Sequence, residues 1–229
     1  MKKLLLPLLT SIVTFVTMFS VHVAATAQEA KAELKGDSKA GERKIAMCIG
    51  CHGIAGYQAS FPEIYKVPKI SGQGAKYIVS ALNAYSKGER KHPTMRAVAQ
   101  SMTEQDMLDV GAYYESHGVV AGAPALPKAP EGSAKVTALL AKGACVSCHG
   151  ANFAAPIDPT YPKIAGQHGD YLFVALKSYK TENNPKVGRV NGVMGGIAKQ
   201  FTNAEMKELA GYISGLPGDL KVVRQSSFR

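Results

Sequence analysis

The chain has no tryptophan, only 7% aromatic residues and only four cysteines in 229 residues. So few cysteines exclude a disulfide-dense secreted scaffold, so their placement carries more information than their number. Beyond residue 25 no apolar run approaches the ~20 residues that span a bilayer, which argues against a polytopic membrane protein. Dense basic runs are missing too. Lys163, Lys177, Lys180, Lys186, Arg189 and Lys199 are scattered singly, a pattern that does not suit nucleic acid. No segment shows the apolar–polar alternation of a half-buried strand. What remains is an ordinary apolar fraction of 46%, enough for a packed core, and a length that suits two domains of about 100 residues.

The N-terminus reads as an export signal. Lys2 and Lys3 precede an apolar run from Leu4 to about Ala25, which ends in the small-x-small triplet Ala25-Thr26-Ala27. Cleavage after Ala27 is expected, which places the mature chain in the periplasm; the alternative is a retained membrane anchor. Cleavage removes two lysines, so the formal charge of +10 becomes +8. Residues 28–120 carry 12 basic against 10 acidic side chains, and residues 135–229 carry 12 against 6. The second half is thus the basic one, either a solvated surface or a face that steers toward an acidic redox partner.

The chain is an internal duplication. "VPKISGQGAKYIVSALNAYSKG" at 67–88 aligns with "YPKIAGQHGDYLFVALKSYKTE" at 161–182, sharing Pro68/Pro162, Gly72/Gly166, Gln73/Gln167, Tyr77/Tyr171 and Tyr85/Tyr179 among others. "MRAVAQSMTEQDMLDVGAYY" at 95–114 matches "MGGIAKQFTNAEMKELAGYI" at 194–213 without a gap. The Pro-, Gly- and Ala-rich stretch up to residue 134 reads as a linker. The expected layout is a first domain over 28–118, a linker over 119–134 and a second domain over 135–229.

Each copy reads as helical. Helices are expected over Glu42–Met47 and Ala134–Ala144, leading into the cysteines, and over Ala75–Lys87 and Asp170–Lys180. Thr103 and Thr202, each with an acid three residues later, predict capping boxes that open the last helix of each copy. Met107, Val110 and Tyr113, matched by Met206, Leu209 and Tyr212, predict one buried stripe. The fold class is all-α, twice.

"CIGCHG" at 48–53 and "CVSCHG" at 145–150 hold every cysteine. A thioredoxin-like pair needs a βαβ setting, and a zinc site needs further ligands at short spacing; neither is present. Disulfides do not explain an identical histidine after each pair. Covalent haem explains all three residues: two thiols add to the two vinyl groups and the adjacent histidine faces the iron. Export fits as well, since c-type haem is attached outside the cytoplasm. Two covalently attached haem c groups are expected, on Cys48, Cys51 and His52 and on Cys145, Cys148 and His149. Such flat groups also make up for scarce aromatic side chains.

The sixth iron ligand separates a carrier from an enzyme, because a methionine thioether closes the iron and raises its potential. Candidates are His92, Met95, Met102 and Met107 in the first copy, and Met194 and Met206 in the second. Met107 and Met206 lie on the core stripe, Met102 aligns with Phe201, and His92 has no histidine counterpart. Met95 and Met194 align, each eight residues before the Thr cap, in segments expected as loops over the haem face. Pro68 and Pro162 have two readings: carbonyl acceptors for the histidine ring N–H, or turn prolines before a packing isoleucine. His117 and His168 read as surface or loop residues.

With CIGCHG, VPKISGQ and Met95 repeated as CVSCHG, YPKIAGQ and Met194, the chain resembles the dihaem cytochrome c4 family over nearly all of its mature length. The resemblance implies two tandem class I cytochrome c domains, iron ligands His52, Met95, His149 and Met194, and Pro68 and Pro162 as histidine-orienting residues. It implies an electron-transfer protein rather than an enzyme, taking electrons from a bc1-type complex toward a terminal oxidase such as the cbb3 type. Membrane association is possible in that family; no nucleic acid and no small-molecule substrate are implied. Members often carry opposed charge on the two halves, whereas here the first half is nearly neutral and the second basic. The competing reading is a cytochrome subunit of a sulfur- or other small-molecule-oxidising dehydrogenase.

Overall fold

The computed structural model describes residues 34–122 and 124–224; the export signal expected over residues 1–27 lies outside them. Numbered in chain order, the first copy holds α1 (Ser38–Glu42), α2 (Ala46–His52), α3 (Ala75–Ser86), α4 (Pro93–Gln100) and α5 (Glu104–Ser116). The second holds α6 (Ala134–Lys142), α7 (Cys145–His149), α8 (Gly169–Lys180), α9 (Gly192–Lys199) and α10 (Asn203–Ser214). Two two-residue antiparallel ladders, absent from the sequence reading, pair β1 (Gln58–Ala59) with β2 (Tyr65–Lys66) and β3 (Arg90–Lys91) with β4 (Gly188–Arg189). They are too short to leave a period in the sequence.

The helix expected over Glu42–Met47 does not run through, and the one expected over Ala134–Ala144 forms but stops at Lys142. The carboxylate of Asp37 caps α1, accepting from Lys39 N and Ala40 N, and the helix closes at Glu42 before α2 opens at Ala46. In the second copy Gly143 closes α6, and Ala144 takes left-handed backbone angles (φ 46°) before α7. Both breaks re-aim the chain, so each cysteine pair sits on its own short helix.

Both capping boxes form. Thr103 Oγ1 accepts from Asp106 N at 3.1 Å while the Asp106 carboxylate accepts from Thr103 N at 2.9 Å. Thr202 and Glu205 repeat the exchange at 3.2 and 2.6 Å. The last helices then bury the expected stripe: Met107, Val110 and Tyr113 pack with Ile45, Ile49, Ile78 and Leu82, while Met206 and Leu209 pack with Leu139 and Phe201. Tyr212 is only half-buried; Ala210 and Ile213 take its share of the stripe, with Leu172.

α1 crosses α5 at backbone contact. A Cβ on Gly41 would stand 2.1 Å from the carbonyl oxygen of Asp109, so only glycine permits this approach. Gly41→Ala is expected to destabilise the protein by about 2 kcal/mol, the cost of overpacking a tight contact, read from the midpoint of denaturant unfolding.

The two copies are joined by matched polar contacts. Gln73 and Gln167, 3% and 4% exposed, each reach into the backbone of the other half. Gln167 bonds Lys69 N and O, both at 2.9 Å, and Gln73 bonds Lys163 N at 3.0 Å and O at 2.9 Å. Just before each glutamine, Gly72 (φ 84°) and Gly166 (φ 68°) use left-handed angles that suit glycine, and their N–H groups bond Tyr114 O and Ile213 O. The C-terminal strap returns to the first copy, where Lys221 N bonds Ser71 O.

Candidate functional site

Each Cys-x-x-Cys-His cluster occupies one short helix. α2 carries Cys48, Cys51 and His52, and α7 carries Cys145, Cys148 and His149. One helical turn puts residues three apart on the same face, which is the spacing that presents two thiols to one edge of a flat ligand. None of the four cysteines is spent in a disulfide, and all are half-buried.

The histidines are aimed by their neighbours. His52 Nδ1 lies 2.8 Å from Pro68 O, and His149 Nδ1 lies 3.1 Å from Pro162 O. A carbonyl can only accept, so Nδ1 carries the proton in both rings and Nε2 keeps its lone pair for a metal. Burial lowers both pKa values, outweighing the bonded carbonyl that raises them, so the imidazoles stay neutral at pH 7, the ligating form.

Met95 and Met194 are placed differently from expectation. Both stand in the first turn of a helix, α4 or α9, rather than in a loop. The reason is local: His92 Nδ1 accepts from Met95 N at 3.3 Å, and Asn191 Oδ1 accepts from Met194 N at 2.9 Å. These are N-caps, and Pro93 follows His92 at a position where proline suits a helix start. His92 therefore does have a structural counterpart, Asn191. Met95 packs half-buried against the first core, as Cys48 and Ile70 do, and Met194 is half-buried. Met107 and Met206 are core residues, at 4% and 0% exposure. His117 meets Ser71 Oγ through Nδ1 at 2.9 Å and stacks on Tyr113, while His168 is the N-cap residue of α8.

Sequence reasoning passed over one pair. Arg90 and Arg189 face each other across the β3–β4 ladder, five residues before Met95 and Met194. Arg90 is 9% exposed, donates to Tyr77 Oη and Tyr171 Oη at 3.4 Å each, and lies over the Tyr85 ring. Arg189 donates to Tyr171 Oη at 3.1 Å and lies over the Tyr171 and Tyr179 rings. Among the described residues neither guanidinium meets a carboxylate, and Arg90 Nε is buried without a partner. The repeat alignment at the offset of the methionines held the signal, a shared arginine.

The donor set fits haem. Among the described residues no group of three or more His, Cys, Asp and Glu side chains is arranged to hold a metal ion. The chain between each histidine and its methionine carries exposed apolar side chains, Ile64, Ile157 and Val190 each at 70%, as suits cover by a porphyrin. A haem also bears two carboxylates, and a carboxylate is the partner that the buried, unbonded Arg90 Nε lacks among the described residues.

The cytochrome c family pattern matches the chain twice, over residues 38–117 and 133–217. Cytochrome c4 of Stutzerimonas stutzeri is 32% identical over 197 residues, which span 81% of this chain and 91% of that protein. The thiosulfate dehydrogenase electron acceptor of Stutzerimonas stutzeri strain A1501 is 27% identical, over 78% of this chain and 83% of its own length. The crystal structure of reduced cytochrome c4 from Pseudomonas stutzeri aligns with a TM-score of 0.58 at 27% identity, covering 80% of this chain and 100% of that one. With one Cys-x-x-Cys-His helix inside each matched region, the chain carries two covalently attached haem c groups, on Cys48 and Cys51 and on Cys145 and Cys148. Two tandem cytochrome c domains, each with its own haem helix, and likeness over most of their length to cytochrome c4 place the chain in the dihaem cytochrome c4 family of electron carriers.

Proposed function

We infer that the protein is a periplasmic one-electron carrier whose irons are held by His52 with Met95 and by His149 with Met194. Pro68 and Pro162 orient the two histidines. In this reading domains 28–118 and 135–229 follow a signal cut after Ala27, and electrons pass from a bc1-type complex to a terminal oxidase such as the cbb3 type. The observation that carries it is the repeated geometry: in both halves a histidine hydrogen-bonded to a proline carbonyl is matched by a methionine at the start of a capped helix. His/Met ligation leaves no open position on an iron, which suits electron transfer and disfavours chemistry on a substrate. When bound, the haems supply the one-electron chemistry, and the chain sets their ligation and surroundings.

A second reading, electron acceptor or cytochrome subunit of a sulfur-oxidising dehydrogenase, is favoured by the likeness to the thiosulfate dehydrogenase electron acceptor. Spectra of the purified, oxidised holoprotein test the proposal. A methionine-to-iron(III) charge-transfer band is expected at both haems, with rapid electron exchange with the oxidase and no turnover of thiosulfate or peroxide by the protein alone. A missing band at one haem, together with turnover, overturns it. Reduction only in the presence of a copurifying dehydrogenase moves the assignment to the second reading.

A further inference from the structure

Pro68 O and Lys69 N belong to one peptide group. Its oxygen accepts from His52 Nδ1 at 2.8 Å, and its N–H donates to Gln167 Oε1, in the other half, at 2.9 Å. Gln167 Nε2 then donates to Lys69 O at 2.9 Å, so the amide grips this segment from both sides. The second half repeats the arrangement with the partners exchanged. The Pro162–Lys163 peptide accepts from His149 at 3.1 Å and donates to Gln73 Oε1 at 3.0 Å, and Gln73 Nε2 donates to Lys163 O at 2.9 Å. Both glutamines are buried, at 3% and 4% exposure, so water does not compete for these bonds. Each Oε1 also accepts from a backbone N–H next along the chain, Gly74 N or His168 N at 3.0 Å, which fixes the amide's orientation.

We propose that Gln167 and Gln73 are positioning residues for the haem of the opposite half, each acting through one peptide group on the proximal histidine. The proposal rests on His52 and His149 being iron ligands. Hydrogen bonds in a chain polarise one another, and a peptide whose N–H donates becomes a better acceptor at its oxygen. Gln167 therefore strengthens the bond from His52 Nδ1–H to Pro68 O. A more strongly bonded Nδ1–H makes the imidazole a better donor to iron, which favours iron(III) and lowers the potential. The consequence is crossed: each domain sets part of the potential of its neighbour's haem. The two haems are then tuned by the same contacts that join the halves.

The test is a redox titration of holoprotein variants with each haem followed separately by its paramagnetically shifted NMR resonances. Gln167→Met keeps the side-chain length and removes both bonds. It is expected to raise the potential of the haem on Cys48 and Cys51 by a two- to threefold change in its reduction equilibrium, about 20 to 30 mV at 59 mV per tenfold. The haem on Cys145 and Cys148 stays where it is. Gln73→Met gives the mirror result, and Gln167→Glu, which keeps the acceptor oxygen, leaves the first potential at or below its natural value. A shift confined to the haem of the variant's own half overturns the proposal. So does an equal shift at both haems, which marks general loosening, or no shift in a folded protein. If the Met variants do not fold, a raised first potential in Gln167→Glu overturns it. His52→Ala is measured alongside: loss of low-spin coordination at the first haem upholds the ligation, so a silent Gln167→Met then counts against the coupling alone. Unchanged coordination in His52→Ala overturns the ligation instead.

Discussion

Met95→Ala and Met194→Ala are each expected to abolish the methionine-to-iron(III) band at one haem and lower that haem's potential on the order of 200 mV, within the ~0.8 V range that axial ligands span. The thioether is a weak donor that favours iron(II), so its removal stabilises iron(III) and leaves a position for water or added ligand. The scaffold should survive the change. Both methionines are half-buried at the first turn of a helix, and the His92 and Asn191 caps bond their backbone N–H, which alanine retains. Circular dichroism should therefore stay close to that of the natural protein while one visible band is lost. Titration with imidazole should show one iron newly able to bind it. If neither variant changes its iron, the closed-iron carrier assignment falls.

Replacing both cysteines of one cluster should have the other large effect. Cys48→Ser with Cys51→Ser removes both thioether bonds of the first haem, so acid extraction should leave one covalent haem per chain instead of two. Cys145→Ser with Cys148→Ser is the mirror experiment. Stability should fall mainly in the affected half. Cys48 packs against the cluster of Ile45, Ile49, Ile78 and Leu82, and a haem lost from that wall takes buried apolar contact with it. Calorimetry should then show two transitions where the natural protein has its halves more nearly matched. Two covalent haems surviving in either double variant would contradict the attachment sites.

Much of this was legible in the chain because it is local. A Cys-x-x-Cys-His cluster carries its own geometry, and Thr103 and Thr202 with their acids close their capping boxes within four residues. The duplication added what one copy lacks, since alignment separated Met95 and Met194 from the other methionines. Identity between the copies does not reveal the pairing of His92 with Asn191, because two different side chains fill the same N-cap role. Those same caps start the helices that hold Met95 and Met194, where the sequence alone suggests loops. The breaks at Arg43 and Ala144 were unreadable for another reason: no proline marks either, and one rests on a left-handed alanine that local propensity disfavours.

The sequence by itself determined the two haem attachment sites, the pairing of the copies and the faces of the last helices, because each depends on residues within one or two turns or on identity between the copies. The tertiary structure alone decided what Gln73, Gln167, Arg90 and Arg189 do. Their repetition was visible, but a buried amide or guanidinium takes its role from the groups it meets, and for Gln73, Gln167 and Arg90 these include groups in the other half, far away in the chain.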